Sequence, residues 1–132
     1  MARRHDVTFI GAHVAGVSED LPRLARLLDA YPNLYADLAA RIAELGRVPR
    51  ATAALIQRHA GRFLFGSDGL PPSAKEYAVS FRFLETDDEH VPYSPDAMPP
   101  QGRWAISCLD LPDDVLTHVY ADTARRLMVR LA

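Results

Sequence analysis

Three short apolar runs recur along this chain, and each is closed by an ionisable side chain. Residues 7–12 lead to His13, residues 34–38 carry Asp37 near their end, and residues 62–67 deliver Asp68. The third, Arg62-Phe63-Leu64-Phe65-Gly66-Ser67-Asp68, constrains the fold most. It is too brief for a helix, suited by its aromatic and aliphatic content to a buried strand, and stopped by Gly-Ser. In parallel α/β proteins sites are built at the C-terminal ends of strands, where each strand hands over to a loop and a helix N-terminus. A carboxylate directly after this strand therefore belongs at the rim of a site.

Helical patterns separate the three runs. Ser18 is predicted to cap a helix with Glu19 and Asp20 in its first turn, Pro22 early, and Leu21, Leu24, Leu27 and Leu28 on one face. Tyr31-Pro32-Asn33 stops it. Residues 39–46 favour a helix in which Arg41 and Glu44 can pair, and Gly46 punctuates it. Pro49 opens a further helix packed through Ala53, Leu55, Ile56 and Ala60, with Gly61 at its end. After Asp68, Gly69-Leu70-Pro71-Pro72 reads as a rigid turn and Ser73 as the cap of a helix whose buried face is Tyr77, Phe81 and Leu84.

Residues 85–103 are acidic, then proline-rich, a loop long enough to expect a lid or poor order. Residues 104–109 suit a short extended piece. Leu111-Pro112-Asp113-Asp114 then opens a final helical region, with Arg125, Arg126 and Arg130 at its far end. The order β-α-β-α-α-β-α-loop-α predicts an α/β fold of about three parallel strands joined by right-handed crossovers and flanked by helices.

At 132 residues the chain is expected to form one domain, and 48% hydrophobic with 24% charged residues is ordinary for a globular protein. A net charge of −2 with interspersed signs gives no footprint for nucleic acid or an anionic membrane. Cys108 is the one cysteine, which rules out an internal disulfide and suits a reducing compartment. The basic N-terminus is not followed by a long apolar run with a small-residue cleavage site, so no signal peptide is expected and the cytoplasm is the predicted location.

His13, Asp37 and Asp68 are the candidate chemical groups. Neighbouring parallel strands lie about 4.8 Å apart, so residues at their ends can converge on one site. Imidazole and carboxylate are ligands for zinc and similar divalent ions, and they also transfer protons. Each has a plainer reading beside it. Asp37 can cap a helix or pair with Arg41, His13 can be a satisfied core histidine, and Asp68 can cap the turn at Gly69. The acidic run 85–89 lacks the frame of a calcium loop, residues 11–16 lack a dinucleotide-binding pattern, and Cys108 reads as packing.

The ordered motifs Phe9-Ile10-Gly11-Ala12-His13, Tyr31-Pro32-Asn33-Leu34-Tyr35-Ala36-Asp37, Arg41-Ile42-Ala43-Glu44-Leu45-Gly46-Arg47 and Leu64-Phe65-Gly66-Ser67-Asp68 resemble the C-terminal part of the amidohydrolase-related family. These are metal-dependent TIM-barrel hydrolases and decarboxylases, including those of the aminocarboxymuconate semialdehyde type. The run 81–89, with Gly102-Arg103-Trp104 and Leu111-Pro112-Asp113, is similar to one branch of that family.

The resemblance implies that the three strands are the sixth to eighth of an eight-stranded barrel. It implies that His13 polarises substrate or moves protons, and that Asp68 is a metal ligand or the base beside the metal. Arg41 is the substrate contact it offers, and Glu85 recurs in the branch with no chemistry attached. The cofactor implied is a divalent metal, zinc first, and the substrate a small organic molecule.

The family's His-x-His pair and fifth-strand ligand have no counterpart here. Such barrels take about 250 residues, so the chain corresponds to little more than a second half, expected to bind metal weakly alone. Open strand edges then invite a second copy or a complementing N-terminal half. The alternative expectation is a catalytically inactive module that acts through partner binding or self-association.

Overall fold

The computed structural model describes residues 4–71 and 73–129; residues 1–3 of the basic N-terminus, Pro72 of the predicted turn and residues 130–132, with the Arg130 expected at the end of the final helical region, lie outside it. Strands β1 (Phe9–Gly11), β2 (Leu34–Asp37) and β3 (Phe63–Leu64) form one parallel sheet in the order β1-β2-β3. Ile10 pairs with Tyr35, and Asp37 with Leu64. The sheet is open: three strands and their helices make the partial barrel that the motif order predicts, without closure.

Alternation along each strand separates the two faces. Leu34, Ala36 and Phe63 share one face and are buried in the same core as Leu24, Leu28, Leu55 and Ile56 of the covering helices α2 (Leu21–Ala30) and α4 (Pro49–Arg58). On the other face Ile10 is 51% exposed, while Tyr35 is covered by the Arg62 guanidinium 5.0 Å from its ring centroid.

Arg62 also donates from Nε to Leu34 O at 2.7 Å, and from Nη2 to the carbonyls of Tyr31 and Leu34. One side chain therefore ties the end of α2, the start of β2 and the start of β3. Hydrogen bonds from a charged donor each contribute roughly 1.5–3 kcal/mol, so Arg62→Met is expected to lower stability by about 2–3 kcal/mol in urea unfolding. Arg62→Lys should recover little, because an ammonium lacks the planar fork. Equal midpoints for all three proteins would overturn this account.

Several local expectations shift by a few residues, each for a visible reason. The N-cap of α2 is Asp20, whose Oδ1 accepts from Arg23 N at 2.9 Å; Ser18 is buried ahead of the helix and donates to Glu19 instead. The helix predicted over 39–46 shrinks to α3 (Ile42–Leu45), because Ala40 turns at φ 55. Helix α4 ends at Arg58, and Gly61 falls in a 3-10 turn, Ala60–Arg62. Strand β3 is short because Phe65 N turns to Val119 O at 2.8 Å. That carbonyl belongs to a π-helical segment, His118–Asp122, between α6 (Asp113–Thr117) and α7 (Thr123–Val129), so a helix covers the end of the edge strand.

Helix α5 (Ala74–Glu85) starts in the capping box predicted from Ser73, with Glu76 reciprocating. Its buried residues are Ser80, Phe83 and Leu84; the predicted buried positions Tyr77 and Phe81 are half-buried and 40% exposed. Phe81 stacks with Phe65 and Tyr77 and meets Tyr120 edge-on, while Tyr77 lies tilted against Phe65, forming an aromatic cluster at the margin of the core.

The predicted 85–103 loop is an ordered flap built on an antiparallel hairpin of β4 (Val91–Pro92) and β5 (Ala105–Ile106). Trp104 Nε1 donates to Ala43 O at 3.0 Å, Ser107 N to Gly46 O at 3.0 Å, and Tyr93 stacks on Trp104 at 5.4 Å. At its base Arg82 grips Asp88 at 2.7 Å, and that guanidinium holds the Asp88 carboxyl below its usual range. No helix among the described residues is long and apolar enough to cross a membrane.

Candidate functional site

His13 follows β1 in an unusual backbone. His13, Val14, Ala15 and Gly16 take φ of 55, 60, 55 and 68, a full left-handed turn, α1 (Ala12–Ala15) with its C-cap. For residues with a Cβ this conformation costs roughly 1–2 kcal/mol each. Such strain persists only where surroundings over-determine it. Here Val14 is 1% exposed and fixed in the core. Gly11 leaves room for the turn: a Cβ there would sit 2.6 Å from Ala15 Cβ.

Asp37 completes the brace. Its Oδ1 accepts from His13 N at 2.8 Å and from Ala39 N at 3.1 Å, joining the ends of β1 and β2. Asp37 is thus neither a helix cap nor a partner of Arg41. The His13 ring adds a third tie, Nδ1 to Ala39 O at 3.0 Å. A carbonyl only accepts, so Nδ1 carries the proton and the neutral ring keeps its Nε2 lone pair free. His13 is half-buried and tied through one ring nitrogen, so it is not a core histidine with both nitrogens satisfied.

Asp68 follows β3 at φ 63 with its side chain exposed, and no hydrogen bond to its carboxylate is found among the described residues. The turn at Gly69 is capped instead by Ser67 Oγ, at 3.3 Å from Gly69 N. Arg41 donates to Ala40 O and lies 3.5 Å from Glu44, the pairing its spacing predicts. Glu85 accepts from the Tyr120 hydroxyl at 2.7 Å, and burial, reinforced by that carboxylate, pushes the hydroxyl well above its ordinary pKa. Cys108 is a buried free thiol.

The structure therefore brings His13 and Asp37 together and leaves Asp68 apart from them in hydrogen bonding. Among the described residues no group of three or more His, Cys, Asp or Glu side chains is placed to hold a metal ion. Among the described residues the donors thus fall short of the roughly three protein ligands that a catalytic zinc takes.

Beside the ends of β2 and β3 lies a cavity of about 180 Å³, walled by Leu38, Ile42, Val79 and Ser67 and roofed by Tyr93 and Gln101 of the flap. Sequence reasoning missed these roof residues. The available signal was the pair of aromatic residues, Tyr93 and Trp104, in an otherwise polar and proline-rich stretch.

The open three-stranded parallel sheet with its helices accords with the partial barrel that the motifs imply. The family model described as Amidohydrolase matches residues 1–128, and the chain belongs to the amidohydrolase family. Comparison with curated proteins and with solved structures finds no match.

Proposed function

We propose that this chain is the C-terminal portion of a metal-dependent amidohydrolase-type hydrolase that acts on a small organic substrate. The observation that carries the reading is the left-handed turn at His13, held by Asp37. A conformation this costly, placed at a strand end and locked from a neighbouring strand, serves to fix the ring beside a substrate. Through its free Nε2, His13 can accept a proton from an attacking water, or in its protonated form donate to a developing oxyanion. Asp68, exposed at the next strand end but one, supplies a second carboxylate for proton transfer or ligation. Arg41, paired with Glu44 at 3.5 Å, is the substrate contact of this reading.

Zinc is the cofactor of this reading and Asp68 the chain's proposed ligand, with the remaining ligands drawn from outside the described residues. The exposed Ile10 on the face opposite α2 and α4 and the edge position of β1 suit pairing with a second copy or with an N-terminal half of the barrel. A cytoplasmic location accords with the buried free thiol of Cys108.

Manganese(II) titration followed by NMR line broadening tests the site even at weak affinity. The expected result is broadening centred on Asp68 that extends to His13 and is lost in Asp68→Ala. Broadening confined to other carboxylates would overturn the assignment.

A further inference from the structure

The cavity at the ends of β2 and β3 has a chemical bias. Its walls are mostly apolar, and at about 180 Å³ it is the size that accepts one ring, since a cavity of about 150 Å³ holds benzene. Its polar groups are Ser67, Glu76, Ser80, Ser94, Asp96 and Gln101, with the Tyr93 hydroxyl, and no Arg, Lys or His lines it.

Most of their donors are already engaged. Ser80 Oγ donates to Glu76 O at 3.0 Å, Tyr93 Oη to Gly102 O at 3.0 Å, Ser94 Oγ to Asp96 Oδ2 at 3.3 Å, and Gln101 Nε2 to Ala40 O at 3.4 Å. Several acceptors remain open. Glu76 uses Oε2 on Ser73 N, which leaves Oε1; Asp96 Oδ1 and Gln101 Oε1 are likewise without a donor among the described residues. The donors left over are the Ser67 hydroxyl proton and the second N–H of Gln101 Nε2.

We propose that this cavity binds a ring-sized group bearing N–H donors, an ammonium before a neutral amide, and rejects carboxylates. An anion placed here meets the carboxylates of Glu76 and Asp96, both on exposed residues, and no cation, with only the Ser67 hydroxyl and one Gln101 N–H to offset its lost hydration. An ammonium meets acceptors that lack donors and two charges of opposite sign. The proposal deepens the hydrolase reading by naming the portion of substrate that lies beside Ser67 and Asp68, and it favours hydrolysis of an amine-bearing substrate over decarboxylation of an acid.

Three probes of one shape decide it: benzylamine, benzamide and benzoate, followed by amide NMR shifts. Benzylamine is expected to move the signals of Ser67, Val79, Tyr93 and Gln101, benzamide the same signals more weakly, and benzoate none of them. Glu76→Gln combined with Asp96→Asn should weaken benzylamine binding about tenfold, equivalent to about 1.4 kcal/mol. Gln at position 76 preserves the capping box, so a folding defect is not expected. Benzoate shifting these signals as strongly as benzylamine, or no probe shifting them, overturns the proposal. Neither result bears on manganese broadening at Asp68 and His13, so the two readings fail separately.

Discussion

Asp37→Ala is expected to lower stability by about 3 kcal/mol and to release His13 from its turn. The carboxylate accepts two backbone N–H groups, at 2.8 Å and 3.1 Å, and truncation leaves both without that partner. Charge-assisted hydrogen bonds contribute roughly 1.5–3 kcal/mol each, and part of that returns when water reaches the freed groups. Three left-handed residues with a Cβ store roughly 3–6 kcal/mol of conformational cost. Without its brace the turn is therefore expected to relax towards ordinary backbone.

Asp37→Asn keeps an acceptor at Oδ1 and is expected to lose less than about 1 kcal/mol. Urea midpoints measure the stability. Ring nitrogen-15 spectra of His13, taken where the imidazole is neutral, should show one tautomer in the parent and in Asp37→Asn, and a mixture in Asp37→Ala. An alanine variant with the parent's midpoint and tautomer would show that burial of Val14 alone holds the turn.

Gly102→Ala is expected to lift the flap. Gly102 sits at φ 141, where residues with a side chain are strained, and an added Cβ would fall against the Trp104 ring, with Cε3 at 2.7 Å. The ring is not free to yield: it stacks on Tyr93, lies under Arg47 at 5.4 Å and donates to Ala43 O. Overpacking costs about 1–3 kcal/mol and the backbone conformation roughly 1–2 more, a combined loss of about 3 kcal/mol.

Because Trp104 is the single tryptophan, its emission should shift to the red as the ring leaves Tyr93. Benzylamine shifts at Ser67 should disappear with the roof of the cavity, while the far-ultraviolet circular dichroism keeps its α/β form. Unchanged emission and an unchanged unfolding midpoint would mean that the flap is not anchored through this contact.

Local signals determined much of this molecule. Short β-branched and aromatic runs separated by helical stripes can be satisfied by parallel strands with crossovers, and the sheet order follows the chain order. Pro49 at the start of α4 and the Ser73 capping box were legible because caps act within four residues of backbone. The ordered motifs marked the family.

The tertiary structure decided what depends on partners distant in sequence. His13, Val14 and Ala15 carry no local preference for positive φ; their turn exists because Asp37, twenty-four residues on from His13, binds its amide and because Val14 is buried. The face α5 buries was misread because Tyr77 and Phe81 find ring partners in Phe65 and Tyr120, which periodicity along one helix does not reveal. The 85–103 stretch looked like a loose loop because its composition is polar. It is ordered by Trp104 reaching Ala43, sixty-one residues earlier. Spacing within an element is a short-range property that a sequence displays; hydrogen bonds and packing across tens of residues form only once the sheet has brought those residues together.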